Sequence, residues 1–232
     1  MPRTATADAP MTAGSRQSSP ARQRSDARFW NRMARKYARS PIEDEAGYER
    51  SLERTREFLT RDDDVLEIGC GTGSTALRHA PHVRHITGTD ISSEMIAIAN
   101  EKLAEGGPAN VDFLVATADD PSFANGAYDT VMAHNILHLV PDLDATLSRI
   151  RDALRPGGLL IAKTPCLGDM NPAIRWVMLP AMRAVGKAPP VLCFSGRALR
   201  EAIGRNGFVV EAVEFHGTRG RDARPFIVAR KT

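Results

Sequence analysis

One ten-residue run, Val65-Leu66-Glu67-Ile68-Gly69-Cys70-Gly71-Thr72-Gly73-Ser74, limits what this chain can fold into more than any other stretch. Its apolar opening, Val65 to Ile68, follows the acidic cluster Asp62, Asp63 and Asp64. It reads as a parallel strand with helices over both faces. Three glycines at alternate positions then permit a tight turn and a close approach of ligand to backbone. Ser74-Thr75-Ala76-Leu77 begins a helix, with Thr72 or Ser74 as its N-cap. Strand, glycine turn and helix N-terminus together cradle a nucleotide-like cofactor. The dinucleotide fingerprint is G-x-G-x-x-G. The spacing here is G-x-G-x-G, with Glu67 two residues before the first glycine. A carboxylate aimed into the turn repels a pyrophosphate and favours a cationic or amine-bearing ligand.

S-adenosylmethionine carries both a sulfonium and an α-amino group. The stretch Glu67-Ile68-Gly69-Cys70-Gly71-Thr72-Gly73 resembles the first motif of the class I S-adenosylmethionine-dependent methyltransferases. Further motifs agree with that family in the same order, so the resemblance covers about residues 60–164 through five motifs. It implies an α/β fold: a doubly wound, mostly parallel, seven-stranded sheet, with Gly69, Cys70, Gly71 and Gly73 around the cofactor and S-adenosylhomocysteine as product.

Downstream residues fill in the site. Val83 to Thr89 reads as the second strand, ending at Asp90. An acid at that place, about twenty residues past the glycines, bonds ribose hydroxyls. The competing role for Asp90 is an N-cap, but Ser92 and Ser93 offer better caps and leave it for the ligand. Ile91 and Met95 then pack near the adenine. The third strand, Val111 to Ala116, closes on Ala116-Thr117-Ala118-Asp119-Asp120, which matches the family's adenine-binding segment. Many relatives have Asp where this chain has Thr117, so either Thr117 or Asp119 supplies the amino contact, and the Ala118 N–H bonds the ring. The fourth strand, Ala127 to Ala133, runs into His134-Asn135-Ile136-Leu137-His138 at the carboxyl edge, where such sheets bind ligands.

The resemblance places His134 and Asn135 near the cofactor. His134 and His138 are the candidate catalytic residues, His138 as a general base. A buried structural histidine is the other reading of His138. The Asp/Asn-Pro-Pro-aromatic motif of many amino-methylating relatives is absent. Asn135-Ile136-Leu137-His138 with Val140-Pro141-Asp142 resembles the small-molecule branch that includes the ubiquinone- and menaquinone-biosynthesis methyltransferases. Leu143 to Leu154 is an amphipathic helix, and the turn Arg155-Pro156-Gly157-Gly158 before the strand Leu159 to Lys163 is another family hallmark.

Composition bounds the rest. With 232 residues, 42% of them hydrophobic, the chain suits one globular domain with a sizeable core. Of its net charge of +3, all is carried by the first 28 residues, which hold five arginines against Asp8 and Asp26. The remainder is neutral and lacks the footprint of a nucleic-acid binder. Cys70, Cys166 and Cys193 show no C-x-x-C pairing, which points to a reduced, cytoplasmic setting, and no metal site is expected. No apolar run approaches transmembrane length.

Residues 1–25 are nearly free of large apolar side chains and read as a disordered leader, either a start-site extension or a transit-like segment. The single domain then spans 26–232. Phe29, Trp30, Met33 and Tyr37 recur at helical spacing up to Pro41, and a second helix follows from about Glu43 to Leu59. In methyltransferases an N-terminal segment of the F-W-x-x-x-A-x-x-Y type covers the cofactor. Tyr37 matches its tyrosine, with simple packing as the alternative.

Past Thr164, residues 165–192 form an inserted lid rich in proline and apolar side chains, among them Ile174, Trp176, Met178 and Val185. This segment is expected to line the acceptor, with a packing helix as the competing reading. A helix Leu199 to Ile203 closed by Gly204, strands Phe208 to Phe215 and Phe226 to Ala229, and a basic hairpin at 216–224 complete the chain; the hairpin reads as a solvated loop, with contact to a substrate carboxylate or phosphate as the other reading. The expected activity is methyl transfer from S-adenosylmethionine to a small, partly apolar acceptor, by a monomer or homodimer. A non-catalytic S-adenosylmethionine-binding module and a nicotinamide-dependent oxidoreductase are the rival functions.

Overall fold

The strand before the glycines is apolar on both faces, and so it sits at the centre of the sheet. In the computed structural model, which describes residues 19–184, 186, 188–218 and 222–232, this strand is β1 (Asp64–Ile68). It pairs in parallel with β2 (His85–Asp90) on one side and β4 (Tyr128–His134) on the other. Beyond β2 lies β3 (Val111–Val115). Beyond β4 come β5 (Leu154–Lys163), β7 (Phe226–Lys231) and β6 (Phe208–Glu214), giving the order β3-β2-β1-β4-β5-β7-β6. The first five strands are parallel, whereas β7 runs antiparallel to both β5 and β6. The expected seven-stranded, mostly parallel sheet is present.

Helices cover both faces. Leu66 and Ile68 point to one side, where they meet Leu147 and Ile150 of α5 (Leu143–Ala153) and Leu199 and Ile203 of α7 (Gly196–Arg205). Val65 points to the other, against Ala76 of α3 (Ser74–His79) and Ile96 of α4 (Ser93–Ala104). By this alternation Glu67 shares the face of Val65. The strand order reverses direction between β1 and β4, which opens a crevice at their carboxyl ends.

Two further helices, α1 (Pro20–Arg39) and α2 (Glu45–Arg56), close that crevice. Trp30 and Ala34 of α1 pack on Met95 and Ile98 of α4, and Arg35 makes a two-pronged ion pair with Glu101 at 2.8 and 2.9 Å.

Several local expectations need correction. Helix α1 starts at Pro20, inside the stretch read as a leader of 25 residues, so the folded domain begins about six residues earlier than 26. Residues 1–18 lie outside the described residues. Ser19 accepts a hydrogen bond from the Arg22 N–H, and Pro20 takes the first helical position, where its missing N–H costs nothing. Neither Thr72 nor Ser74 caps α3. Gly73, with φ of 74°, stands at that position and offers no side chain. Helix α7 continues through Gly204 to Arg205. The Arg155–Gly158 turn is absorbed into β5 as a register irregularity against β4. The inserted segment forms a π-helical turn, Ile174–Met178, followed by α6 (Leu179–Ala184). Val185 and Arg219 to Arg221 lie outside the described residues. Among the described residues no helix is long and apolar enough to cross a membrane.

Candidate active site

At the crevice lies a cavity of about 850 Å³. Tyr37, Glu67, Gly69, Cys70, Gly71, Asp90, Ile91, Met95, Thr117, Ala118, Asp119, His134, Asn135 and His138, all singled out in the sequence, line it. Gly73 does not. A Cβ there would sit 2.6 Å from the Phe113 ring and 2.9 Å from the Ala99 Cβ, so this glycine serves the packing beneath the turn. Gly71 differs. With φ of 55°, its added Cβ would meet only the Tyr37 ring, at 3.9 Å, so the turn presents bare backbone to the cavity under a tyrosine.

The acids flank this backbone. Asp90, at the end of β2, accepts hydrogen bonds from the Gly71 N–H at 3.1 Å and the Ser92 N–H at 2.8 Å. Burial pushes its carboxyl above the usual range, an effect that the two N–H groups oppose. Ser92 caps α4 through the Met95 N–H at 3.1 Å, which leaves Asp90 facing the cavity as anticipated. Glu67 is 2% exposed and its Oε2 has no hydrogen-bond partner among the described residues. Its Oε1 lies 3.9 Å from His134 Nδ1, beyond hydrogen-bond reach. Neither ring nitrogen of His134 has a partner among those residues either. An unpartnered carboxylate is costly unless a cation meets it. The donor set therefore fits a ligand bearing an ammonium or sulfonium beside a ribose.

Tyr37 lines the cavity, where desolvation of the phenol and the charges of Asp90 and Glu67, which it overlooks, push it up. Cys70 is buried and its thiol is raised well above its ordinary value, mainly by burial, so it is no nucleophile. His138 Nδ1 is hydrogen-bonded to Thr164 Oγ1 at 2.9 Å, and burial lowers the ring to about 4. Asn135 adopts φ of 56°, and its N–H donates to the Lys163 carbonyl at 2.6 Å. Asparagine is among the few non-glycine residues that tolerate the left-handed region.

Of the opposite wall only the 216–224 hairpin was weighed in the sequence as a substrate contact. Lys163 from β5, Ser51 and Gly47 from α2, and Asp222 and Arg224 from the loop before β7 all line the cavity. Of the inserted segment, Pro165, Met170 and Pro189 line it. Trp176 and Met178, the side chains expected to touch the acceptor, are not among the lining residues, and Trp176 is 69% exposed. The π-helical turn carries them outward.

Residues 65–158 match a family model described as "Methyltransferase domain". The chain is similar to the O-methyltransferase rstn1 of Aspergillus nomiae, 31% identical over 195 residues that take in 78% of this chain and 84% of that protein. It is also similar to highly reducing polyketide synthase 40 of Fusarium pseudograminearum, 38% identical over 117 residues, 45% of this chain. That match spans only 4% of the synthase's own length. Among solved structures, an S-adenosylmethionine-dependent methyltransferase from Mesorhizobium loti aligns with a TM-score of 0.66 at 22% identity. It covers 80% of this chain and 98% of that one, a likeness of fold. These relatives mark the family rather than its quinone-biosynthesis branch. The chain belongs to the class I S-adenosylmethionine-dependent methyltransferases and is an enzyme of that family.

Proposed function

We propose that this enzyme transfers the methyl group of S-adenosylmethionine to a hydroxyl of a small, partly apolar acceptor by direct displacement. The observation that carries the reading is the buried Glu67 carboxylate, whose Oε2 has no partner among the described residues, facing the same cavity as Asp90 and the bare Gly71 backbone. Glu67 holds the cationic amino-acid end of the cofactor, and Asp90 takes the ribose hydroxyls. Thr117 or Asp119, with the Ala118 N–H, takes the adenine. Ile91 and Met95 supply its apolar bed, and Tyr37 covers the turn.

When bound, S-adenosylmethionine supplies a methyl group on a positively charged sulfur, which leaves as a neutral thioether. The chain's own task is then alignment and the exclusion of water. Asn135, fixed in its left-handed conformation by the Lys163 carbonyl, and His134 hold the edge beside the reacting centre. His138, kept neutral, presents a polar wall on the acceptor side. Pro165, Met170 and Pro189 give that side its apolar character and keep the lid assignment for residues 165–192. The hydroxyl acceptor is supported by the name of the Aspergillus relative, most of whose length this chain covers. A cytoplasmic setting agrees with the absence of a membrane-crossing helix among the described residues.

The test pairs calorimetry with S-adenosylhomocysteine and a transfer assay with labelled S-adenosylmethionine against phenols, quinols, thiols and amines. Micromolar or tighter product binding and label on oxygen are expected. Tight NADH binding without S-adenosylhomocysteine binding would remove the reading.

A further inference from the structure

The acceptor wall holds a lysine, Lys163, whose side-chain amine has no part in the scheme above. Glu67 pairs in register with Met132, Met132 with Ile161, and His134 with Lys163. Alternation therefore brings Glu67, His134 and Lys163 to one face of the sheet, at the carboxyl ends of β1, β4 and β5. The row runs from the glycine turn toward the acceptor.

Among the described residues Lys163 Nζ donates to two neutral acceptors, Ser51 Oγ at 2.7 Å and the Gly47 carbonyl at 3.5 Å. Ser51 Oγ is 3.0 Å from His216 Nδ1, and His216 Nε2 is 3.1 Å from Glu214 Oε2. A continuous line of polar groups thus leads from the cavity to Glu214, whose side chain is 33% exposed. The charged groups facing Lys163 come from several elements. Asp44 and Asp222 favour its protonation and Arg224 opposes it. Asp44 is engaged by the Gly47 and Thr218 N–H groups and the Thr218 hydroxyl. Asp222 is engaged by the Gly217 N–H and by Arg224. His134 and His138 stand on the β4 side. Burial outweighs these charges and pushes the amine below the ordinary lysine range. His138, lowered to about 4, holds a proton too weakly to draw one from a phenol.

The geometry points to Lys163 as the catalytic base that accepts the acceptor's hydroxyl proton, with Ser51, His216 and Glu214 as the proton's path to solvent; this rests on the hydroxyl-acceptor reading. The O–H bond breaks toward Nζ as the O–CH3 bond forms. The S–CH3 bond breaks with its electron pair remaining on sulfur. The positive charge passes from sulfonium to the Lys163 ammonium and is discharged along the line to Glu214.

The test is a series of phenols of graded acidity, assayed on the full chain with Lys163→Met and Lys163→Arg. S-adenosylhomocysteine affinity and Tm are measured on the same preparations. For unsubstituted phenol Lys163→Met should lose about 100-fold or more in kcat, the lower range of a general-base contribution. The loss should shrink to a few-fold for a nitrophenol already ionised at the assay pH. Lys163→Arg should share the deficit, because a guanidinium keeps its proton. Wild-type kcat should rise with pH through the lysine's titration, and that rise should vanish in both variants, with product affinity unchanged. If Lys163→Met fails to fold, Lys163→Arg, which preserves the cation, carries the comparison. An equal loss across the series, or full activity in either variant, overturns the assignment and leaves the hydroxyl acceptor standing. Transfer by wild type to amines alone overturns both together.

Discussion

Replacing Glu67 by glutamine should move stability and binding in opposite directions. In the free chain the carboxylate is 2% exposed, with one oxygen unpartnered and the other 3.9 Å from a histidine nitrogen. Leaving a buried polar group unsatisfied costs about 1–3 kcal/mol, more if it is charged. Glutamine keeps the shape and removes the charge. The free variant should thus gain at least about 1 kcal/mol, or about 2–4 °C in Tm for a domain of this size. With ligand the balance reverses. A hydrogen bond to a charged group contributes about 1.5–3 kcal/mol, so S-adenosylhomocysteine should bind about 10- to 150-fold more weakly. Thermal melts of the free chain and titration calorimetry on the same protein read both quantities. A variant that melts lower and binds as wild type does would refute the idea that Glu67 is held for the ligand's cation.

Asp90→Ala removes the acceptor for two backbone N–H groups as well as the proposed ribose contact. Calorimetry should show a loss of about 1.5–3 kcal/mol in S-adenosylhomocysteine binding, accompanied by a lower Tm. Gly73→Ala should cost about 1–3 kcal/mol of stability in chemical denaturation, because its Cβ meets Phe113 and Ala99. The surviving folded fraction should bind product normally. Met170→Ala should raise the acceptor's KM, while Trp176→Ala with Met178→Ala should leave steady-state acceptor kinetics unchanged, since only Met170 lines the cavity. His79 is fully buried, its ring nitrogens lack partners among the described residues, and burial lowers it from 6.5 to about 3. The unfolded chain binds that proton first, so stability falls as pH drops from 6.5 toward 3. His79→Leu should remove about 2 kcal/mol of the decline between pH 7 and pH 5, read by urea denaturation.

The sheet and the cofactor half of the site were legible because both depend on short-range signals. Buried parallel strands must be apolar runs, and a backbone that meets a ligand must be glycine, so β1 to β5 and the Gly71 turn stand out. Asp90 could be placed at the cavity because Ser92 was the better cap, as its bond to the Met95 N–H bears out. The start of α1 was missed because residues 20–25 bury almost nothing. The Ser19-Pro20 pair was the available signal. Gly73 was read as a ligand contact because its neighbour Phe113, forty residues away, is invisible from the turn. Most of the opposite wall eluded the sequence for the same reason. Lys163, Ser51 and His216 come from a strand, a helix and a late loop with no shared spacing, and only the sheet order brings them together. Trp176 and Met178 looked like a wall by hydrophobicity alone, and hydrophobicity carries no direction without a helical register.

Strand β7 lies between β5 and β6, although it is the later of the last two strands in sequence. Strand β6 therefore has no place in the sheet until residues 226–231 have joined it. The parallel half, with Glu67, Gly71 and Asp90, has all its strands by the end of β5. Glu214 and His216, on the β6 side of that hairpin, reach toward Ser51 and Lys163. The wall that carries Glu67, Gly71 and Asp90 thus rests on strands that precede residue 164, and the proposed proton path on the hairpin of the last two strands.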